Sequence, residues 1–173
     1  NDPVGDLNPR ATYSVNAEGA IHLGRMAKAA GVPRYVFSSS CSLYGAADDE
    51  PCTEDASFKP VTPYGESKVM AEAGLSELAD ESSSPTYLRN ATAYGSSPRR
   101  RADIVVNNLT GVAFTRGEVR LQSDGSPWRP LVHAEDIARA FAAVLGARRG
   151  VVHNQAFNVG RDEDVVQIRD IAT

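Results

Sequence analysis

Apolar residues Val15, Ala20, Ile21, Leu23, Met26, Ala27 and Ala30 recur at three- and four-residue intervals, and Gly31 followed by Pro33 closes the run. That spacing predicts an amphipathic helix after an opening polar, turn-rich loop over residues 1–9. Next, Tyr35, Val36 and Phe37 form a short apolar run that breaks into Ser38, Ser39 and Ser40, the pattern of a buried strand delivering hydroxyls at its C-terminal end. Residues 45–63 hold Pro51, Pro60 and Pro63 among several acids and read as a long irregular excursion. A second helix is expected over residues 64–78 and a strand over 86–88, ending in Arg89 and Asn90. Further along, residues 104–114 read as helix and 119–121 as extended. Ile137, Ala140, Phe141, Val144 and Leu145 mark an amphipathic helix closed by Gly146 and Gly150, residues 156–159 a last strand, and 168–173 the start of a helix. Strands alternating with helices predict an α/β fold: a mainly parallel sheet covered by helices on both faces.

Composition narrows the function classes. With 173 residues, 42% of them hydrophobic, the chain has room for a sizeable core. No run approaches the roughly 20 apolar residues that cross a bilayer, and the start does not have the form of a secretory signal, so no membrane partner is expected and the reading is cytoplasmic. A net charge of −4 argues against a nucleic-acid partner, which needs a concentrated positive face. The exception is the run Arg99, Arg100 and Arg101, read as a solvated loop, with a place near a substrate phosphate as the other option. Cys41 and Cys52 have neither the spacing nor the companions of a redox pair or a zinc site, so no metal is expected, and Cys41 reads as a small buried residue.

Ligands of open parallel sheets bind beyond the carboxyl ends of the strands, which directs attention to Ser38–Ser40. Tyr64 and Lys68 stand four residues apart at the start of the second helix, on one face. A tyrosine titrates near ~10, too high for a base at neutral pH, and an adjacent ammonium stabilises the phenolate. With the Ser40 hydroxyl sharing the substrate oxygen, Tyr64 can move the proton of an alcohol while hydride leaves the same carbon for a nicotinamide. A Tyr-x-x-x-Lys spacing alone is a weak signal. Its order after a serine-rich strand end and Leu43-Tyr44-Gly45 makes the pair specific.

These residues resemble the extended short-chain dehydrogenases, in particular the NAD-dependent epimerase/dehydratase family. YVFSSSCSLYG (residues 35–45) is similar to that family's strand and active-site serine, and PYGESK (63–68) to its Tyr-Lys motif. The resemblance implies a Rossmann-like sheet, with residues 1–95 the C-terminal part of the NAD-binding domain carrying the catalytic residues. Residues 96–173 are then a substrate-binding region interleaved with the last Rossmann elements. It implies Ser40, Tyr64 and Lys68 as catalytic residues, and Asn16, Ser38, Tyr64 and Lys68 as contacts to NAD rather than NADP. Thr92, Asn107, Asn108 and Arg129 become contacts to a nucleotide sugar, Arg129 as a guanidinium suited to the diphosphate. His133 and Asp136 are expected to hold the following helix, and Asn158-Val159-Gly160 to be structural.

The family's dehydratases carry Asp-Glu where this chain has Cys41 and Ser42, which points away from dehydration and toward a 4-epimerase cycle through a transient ketone. A net dehydrogenase or reductase would use the same three residues. A noncatalytic Rossmann-like binding module and an inactive truncated piece are the remaining alternatives. The family's Gly-x-x-Gly-x-x-Gly phosphate loop does not occur in the sequence. The chain is therefore expected to be an internal piece of a longer enzyme that dimerises through its two long helices.

Overall fold

The computed structural model describes residues 2–45, 52–98, 101–121 and 123–172. Contrary to the expected opening loop, the chain is helical almost from its start: α1 covers Asp2–Leu7 and α2 Pro9–Tyr13. Asn8 explains the second start, since its side chain accepts from the Ala11 amide at 3.1 Å and Pro9 fills the first helical position, where its missing N–H costs nothing. Polar residues here are caps, not breakers. The chain then runs without a break through a π-helical segment, Ser14–Glu18, into α3, Gly19–Ala29. At the junction the Gly19 amide donates to the Ser14 carbonyl, five residues back.

The structure divides into two compact units, Asn1–Arg89 with Ala140–Asn158, and Asn90–Arg139 with Val159–Thr173. In the first unit β1 (Arg34–Ser40) is followed by a 3₁₀ turn, Cys41–Tyr44, and α4 spans Pro63–Ser76. Residues 52–62 carry neither helix nor strand, as expected of the excursion, whereas Pro51 lies outside the described residues. Next comes β2 (Ser84–Asn90), central in a sheet of order β1-β2-β5 and buried at every position. A strand covered on both faces must settle its polar side chains internally. Accordingly Thr86 donates to the Val152 carbonyl at 2.8 Å and Tyr87 to Asn154 at 2.8 Å. The core of this unit joins Ala20, Phe37, Ala71, Leu75 and Tyr87, and at ordinary apolar transfer energies each large member contributes about 1.5–3 kcal/mol.

In the second unit, β3 (Thr92–Tyr94) is followed by α5 (Val105–Arg116) and β4 (Trp128–His133). β3 runs parallel to β4, with Thr92 opposite Leu131 and Tyr94 opposite His133. Helix α6 (Ala134–Gly146) continues into the first unit, where α7 (Arg149–Val152) and β5 (Gln155–Val159) follow. β6 (Val165–Gln167) pairs antiparallel with β4, and α8 (Ile168–Ile171) is the helix foreseen near 168. Residues 118–121 form no strand despite their apolar pattern. Val119 is 38% exposed there, so the apolar pattern does not mark a buried face. Among the described residues no helix is long and apolar enough to cross a membrane.

Candidate active site

The first unit gathers five of the residues singled out from the sequence. Ser40 ends β1 and also caps the turn that follows: its hydroxyl oxygen accepts from the Ser42 amide at 3.2 Å and lies 3.2 Å from the Ser42 hydroxyl. Its orientation is thus set by backbone. Tyr64 owes its place to the helix start, because Thr62 accepts from the Gly65 amide at 3.1 Å and Pro63 is pre-set for a first helical turn. Lys68 follows one turn later on the same face. Its ammonium donates to the Ser38 carbonyl at 2.8 Å and sits 4.7 Å from the Phe37 ring centre and 5.5 Å from that of Tyr64. Burial pulls the Lys68 pKa down, and the Glu72 carboxylate opposes that pull. An ammonium so placed is tied to the strand end and faces the Tyr64 ring.

Two glycines permit the approach. Gly65 lies so close to the turn after β1 that a Cβ would stand 2.7 Å from the Ser42 carbonyl oxygen and 3.1 Å from Pro60. Gly45 holds φ +86°, and a Cβ there would meet the Lys59 carbonyl oxygen at 2.0 Å. The pair lets the helix start and the returning loop close on the strand end that carries Ser40. Gly65→Ala is expected to lower stability by about 1–3 kcal/mol, because backbone must shift to admit the methyl. A urea melt with an unchanged midpoint would contradict the close approach.

Asn16 sits within the π-helical segment and donates to the Ser67 hydroxyl at 3.3 Å, which itself donates to the Tyr64 carbonyl at 2.7 Å. Ser67 is fully buried, so Asn16 reaches the Tyr64 backbone through one hydroxyl. Beside it, Tyr13 bonds to the Glu66 carboxylate, which pushes the phenol's pKa up. Cys41 is half-buried at the start of the 3₁₀ turn, not buried as its sequence neighbours suggested, since the turn lifts it off the end of the strand.

A network that the sequence did not disclose lies behind these groups. Arg89, at the end of β2, forks onto Glu72 of α4 through Nε (3.1 and 3.2 Å) and Nη2 (2.7 Å), and both side chains are 7% exposed. Nη1 donates to the Tyr44 hydroxyl at 2.9 Å and to the Glu54 carbonyl at 2.8 Å. Tyr44 donates in turn to Asn158 at 2.7 Å, which also binds the Cys52 carbonyl, so Asn158 has the structural part expected of it. The available signal was an acid, Glu72, standing between the apolar positions Ala71 and Leu75 on the buried stripe of α4.

In the second unit Thr92 lies on β3, half-buried. Asn107 accepts from the Gly95 amide at 3.4 Å and donates to the Arg101 carbonyl at 3.0 Å, and Asn108 donates to the Ala102 carbonyl at 3.0 Å. These amides fasten the start of α5 to the chain before it. Arg129 is exposed, with Nη1 donating to the Trp128 carbonyl at 3.0 Å, and lies toward the opposite end of β4 from the strand end that Asn107 joins. His133 accepts from the Glu135 amide at 3.3 Å and Asp136 pairs with Arg139 at 3.1 Å, so both hold the start of α6. Arg101 pairs with Asp103, while Arg99 and Arg100 lie outside the described residues.

The model of the NAD dependent epimerase/dehydratase family matches residues 2–160. The chain is 31% identical over 172 residues to UDP-glucose 4-epimerase of Neisseria gonorrhoeae, covering 88% of this chain and 50% of that protein. Among solved structures, MoeE5 in complex with UDP-glucuronic acid and NAD is 32% identical with a TM-score of 0.79, covering 90% of this chain and 51% of that one. The NAD dependent NDP-hexosamine 5,6-dehydratase TunA is 26% identical with a TM-score of 0.84, covering 99% and 55%. The chain spans about half the length of the curated relatives it matches.

Proposed function

The chain belongs to the NAD dependent epimerase/dehydratase family, and from that premise we propose that it carries the proton-transfer machinery of a nucleotide-sugar 4-epimerase. The observation that carries the reading is the one-turn spacing of Tyr64 and Lys68 on α4, with Lys68 anchored on the carbonyl of Ser38, two residues before Ser40 on the same strand. Similarity to UDP-glucose 4-epimerases favours the 4-epimerase form of the reaction.

On this reading Tyr64, as phenolate, takes the proton of a sugar hydroxyl, and the Lys68 ammonium stabilises that phenolate. Ser40 donates to the oxygen as it becomes a carbonyl, and Tyr64 returns the proton once the sugar has been reduced on its other face. Bound NAD supplies the acceptor, then the donor, of the hydride. The donor set fits its ribose: a phenol and an ammonium on one helix face suit two vicinal hydroxyls, with Asn16 and Ser38 completing that side. Thr92, Asn107, Asn108 and Arg129 are assigned to the nucleotide sugar. Residues 1–95 then serve cofactor and catalysis and 96–173 the substrate. Leu23 and Met26 of α3 and Met70 of α4, 58%, 55% and 48% exposed, support a homodimer built on these helices.

The test is a calorimetric titration of NAD into the native polypeptide that contains this chain, with and without Lys68→Ala. Binding is expected to weaken about 10-fold in the variant, in line with loss of a charge-assisted hydrogen bond. Equal affinity would remove Lys68 from the cofactor site, and an absence of NAD binding in both would overturn the enzymatic reading.

A further inference from the structure

Helix α4 carries Tyr64, Lys68 and Glu72 at successive four-residue steps, so the three share one face. Glu72 has been given no part in the reaction, yet it is a carboxylate held 7% exposed and gripped by three hydrogen bonds from Arg89. A buried ion pair adds little net stability over an apolar pair of the same volume, so folding alone is a weak reason for charge at this place. Its effect on neighbouring groups is the more informative direction. The neighbour one turn away is Lys68, whose ammonium feels the Glu72 carboxylate.

We propose that Glu72 and Arg89 are the positioning pair of Lys68: the two-pronged bond fixes the rotation of α4 on β2, and the Arg89 charge offsets part of the Glu72 charge that the lysine feels. The inference rests on the reading of Tyr64 and Lys68 as proton-transfer residues. Three features support it. The fork geometry of guanidinium on carboxylate resists rotation in a way that a single bond does not. Arg89 is itself immobilised, by the Tyr44 hydroxyl, the Glu54 carbonyl and the Phe58 ring 4.8 Å from its guanidinium carbon. The other titratable groups that face the pair are Tyr44 from the 3₁₀ turn, Tyr87 from β2 and Glu54 from the loop. Burial pushes the Tyr44 phenol up and the Tyr87 phenol up to about 12, so neither carries charge near neutral pH. The charge that reaches Lys68 is that of Glu72, which Arg89 meets through three hydrogen bonds.

Opposite charges predict opposite consequences. Glu72→Gln leaves the Arg89 charge uncompensated, which favours the Tyr64 phenolate and moves the acid limb of the kcat profile to lower pH. Arg89→Gln leaves the Glu72 charge and moves the limb to higher pH, each by about one pH unit. Glu72→Gln with Arg89→Gln together should restore the parent limb, with kcat lowered about 10-fold and KM little changed, because neutrality returns but the clamp does not. Glu72→Asp keeps the charge and should also leave the limb in place. The profiles are measured on the native polypeptide with NAD and UDP-glucose.

Limbs that stay put in both single variants, or move the same way, overturn the inference and leave the pair a purely structural one. Should a single variant fail to fold, the double variant and Glu72→Asp decide: an unshifted limb with lowered kcat supports positioning, and parent kcat in both overturns it. Tyr64→Phe is run alongside. If it retains turnover, the catalytic reading and this inference fall together; if it abolishes turnover while the limbs do not separate, the inference falls alone.

Discussion

Replacing Tyr64 by phenylalanine is expected to reduce turnover of a nucleotide sugar by about 10²–10⁴-fold, the usual worth of a positioned acid–base group, with the fold unchanged. The substitution keeps the ring that lies 5.5 Å from the Lys68 ammonium and removes only the hydroxyl. The helix start does not depend on that hydroxyl, since the Thr62 side chain and the Ser67 hydroxyl bind the backbone of residues 65 and 64. Steady-state kinetics paired with near-ultraviolet circular dichroism separates the two effects. A variant with an intact spectrum and parent kcat would remove Tyr64 from the proton transfer.

The second large effect concerns stability. Arg89→Met should destabilise the first unit by about 3–5 kcal/mol, because it strands the Glu72 carboxylate in a site that is 7% exposed. It also deprives the Tyr44 hydroxyl and the Glu54 carbonyl of a donor, so residues 52–58 should become more accessible to proteolysis. Glu72→Met added to Arg89→Met should recover most of the loss, since an apolar pair leaves no charge behind. Urea melts followed by far-ultraviolet circular dichroism measure all three proteins. A single variant within about 1 kcal/mol of the parent would mean that water reaches the pair.

Much of this arrangement was legible in the chain. The apolar spacing from Val15 to Ala30 marked a helix, although it is Ala17, Ala20 and Gly24 that are buried while Val15, Leu23 and Met26 are exposed, and the break from Phe37 into Ser38 marked a strand end because the core stops there. Tyr64 and Lys68 were readable because a helix places residues four apart side by side whatever surrounds them. What escaped depended on partners distant in sequence. β3, β4 and β6 are short or rimmed by polar residues, and they are strands only because Thr92 finds Leu131 and Trp128 finds Gln167. The Glu72–Arg89 pair joins a helix to a strand, and no local rule links an acid at one place to a base seventeen residues later. Residues 119–121 failed in the other direction, with a strand-like pattern but no strand among the described residues there.

The π-helical segment at Ser14–Glu18 fixes where the leading helix can change length. A wide turn holds one residue more than an α-helical turn over nearly the same rotation about the axis. Deleting one residue there would let the turn relax to ordinary α-helical bonding, with Tyr13 still beside Glu66 and α1 and α2 still on the side of α4 that they now face. A deletion elsewhere in the helix has no spare residue to draw on and would swing everything upstream about 100° around the axis. An alignment of this chain with a protein whose corresponding helix is unbroken should therefore open a single-residue gap within the segment, the trace of one inserted residue.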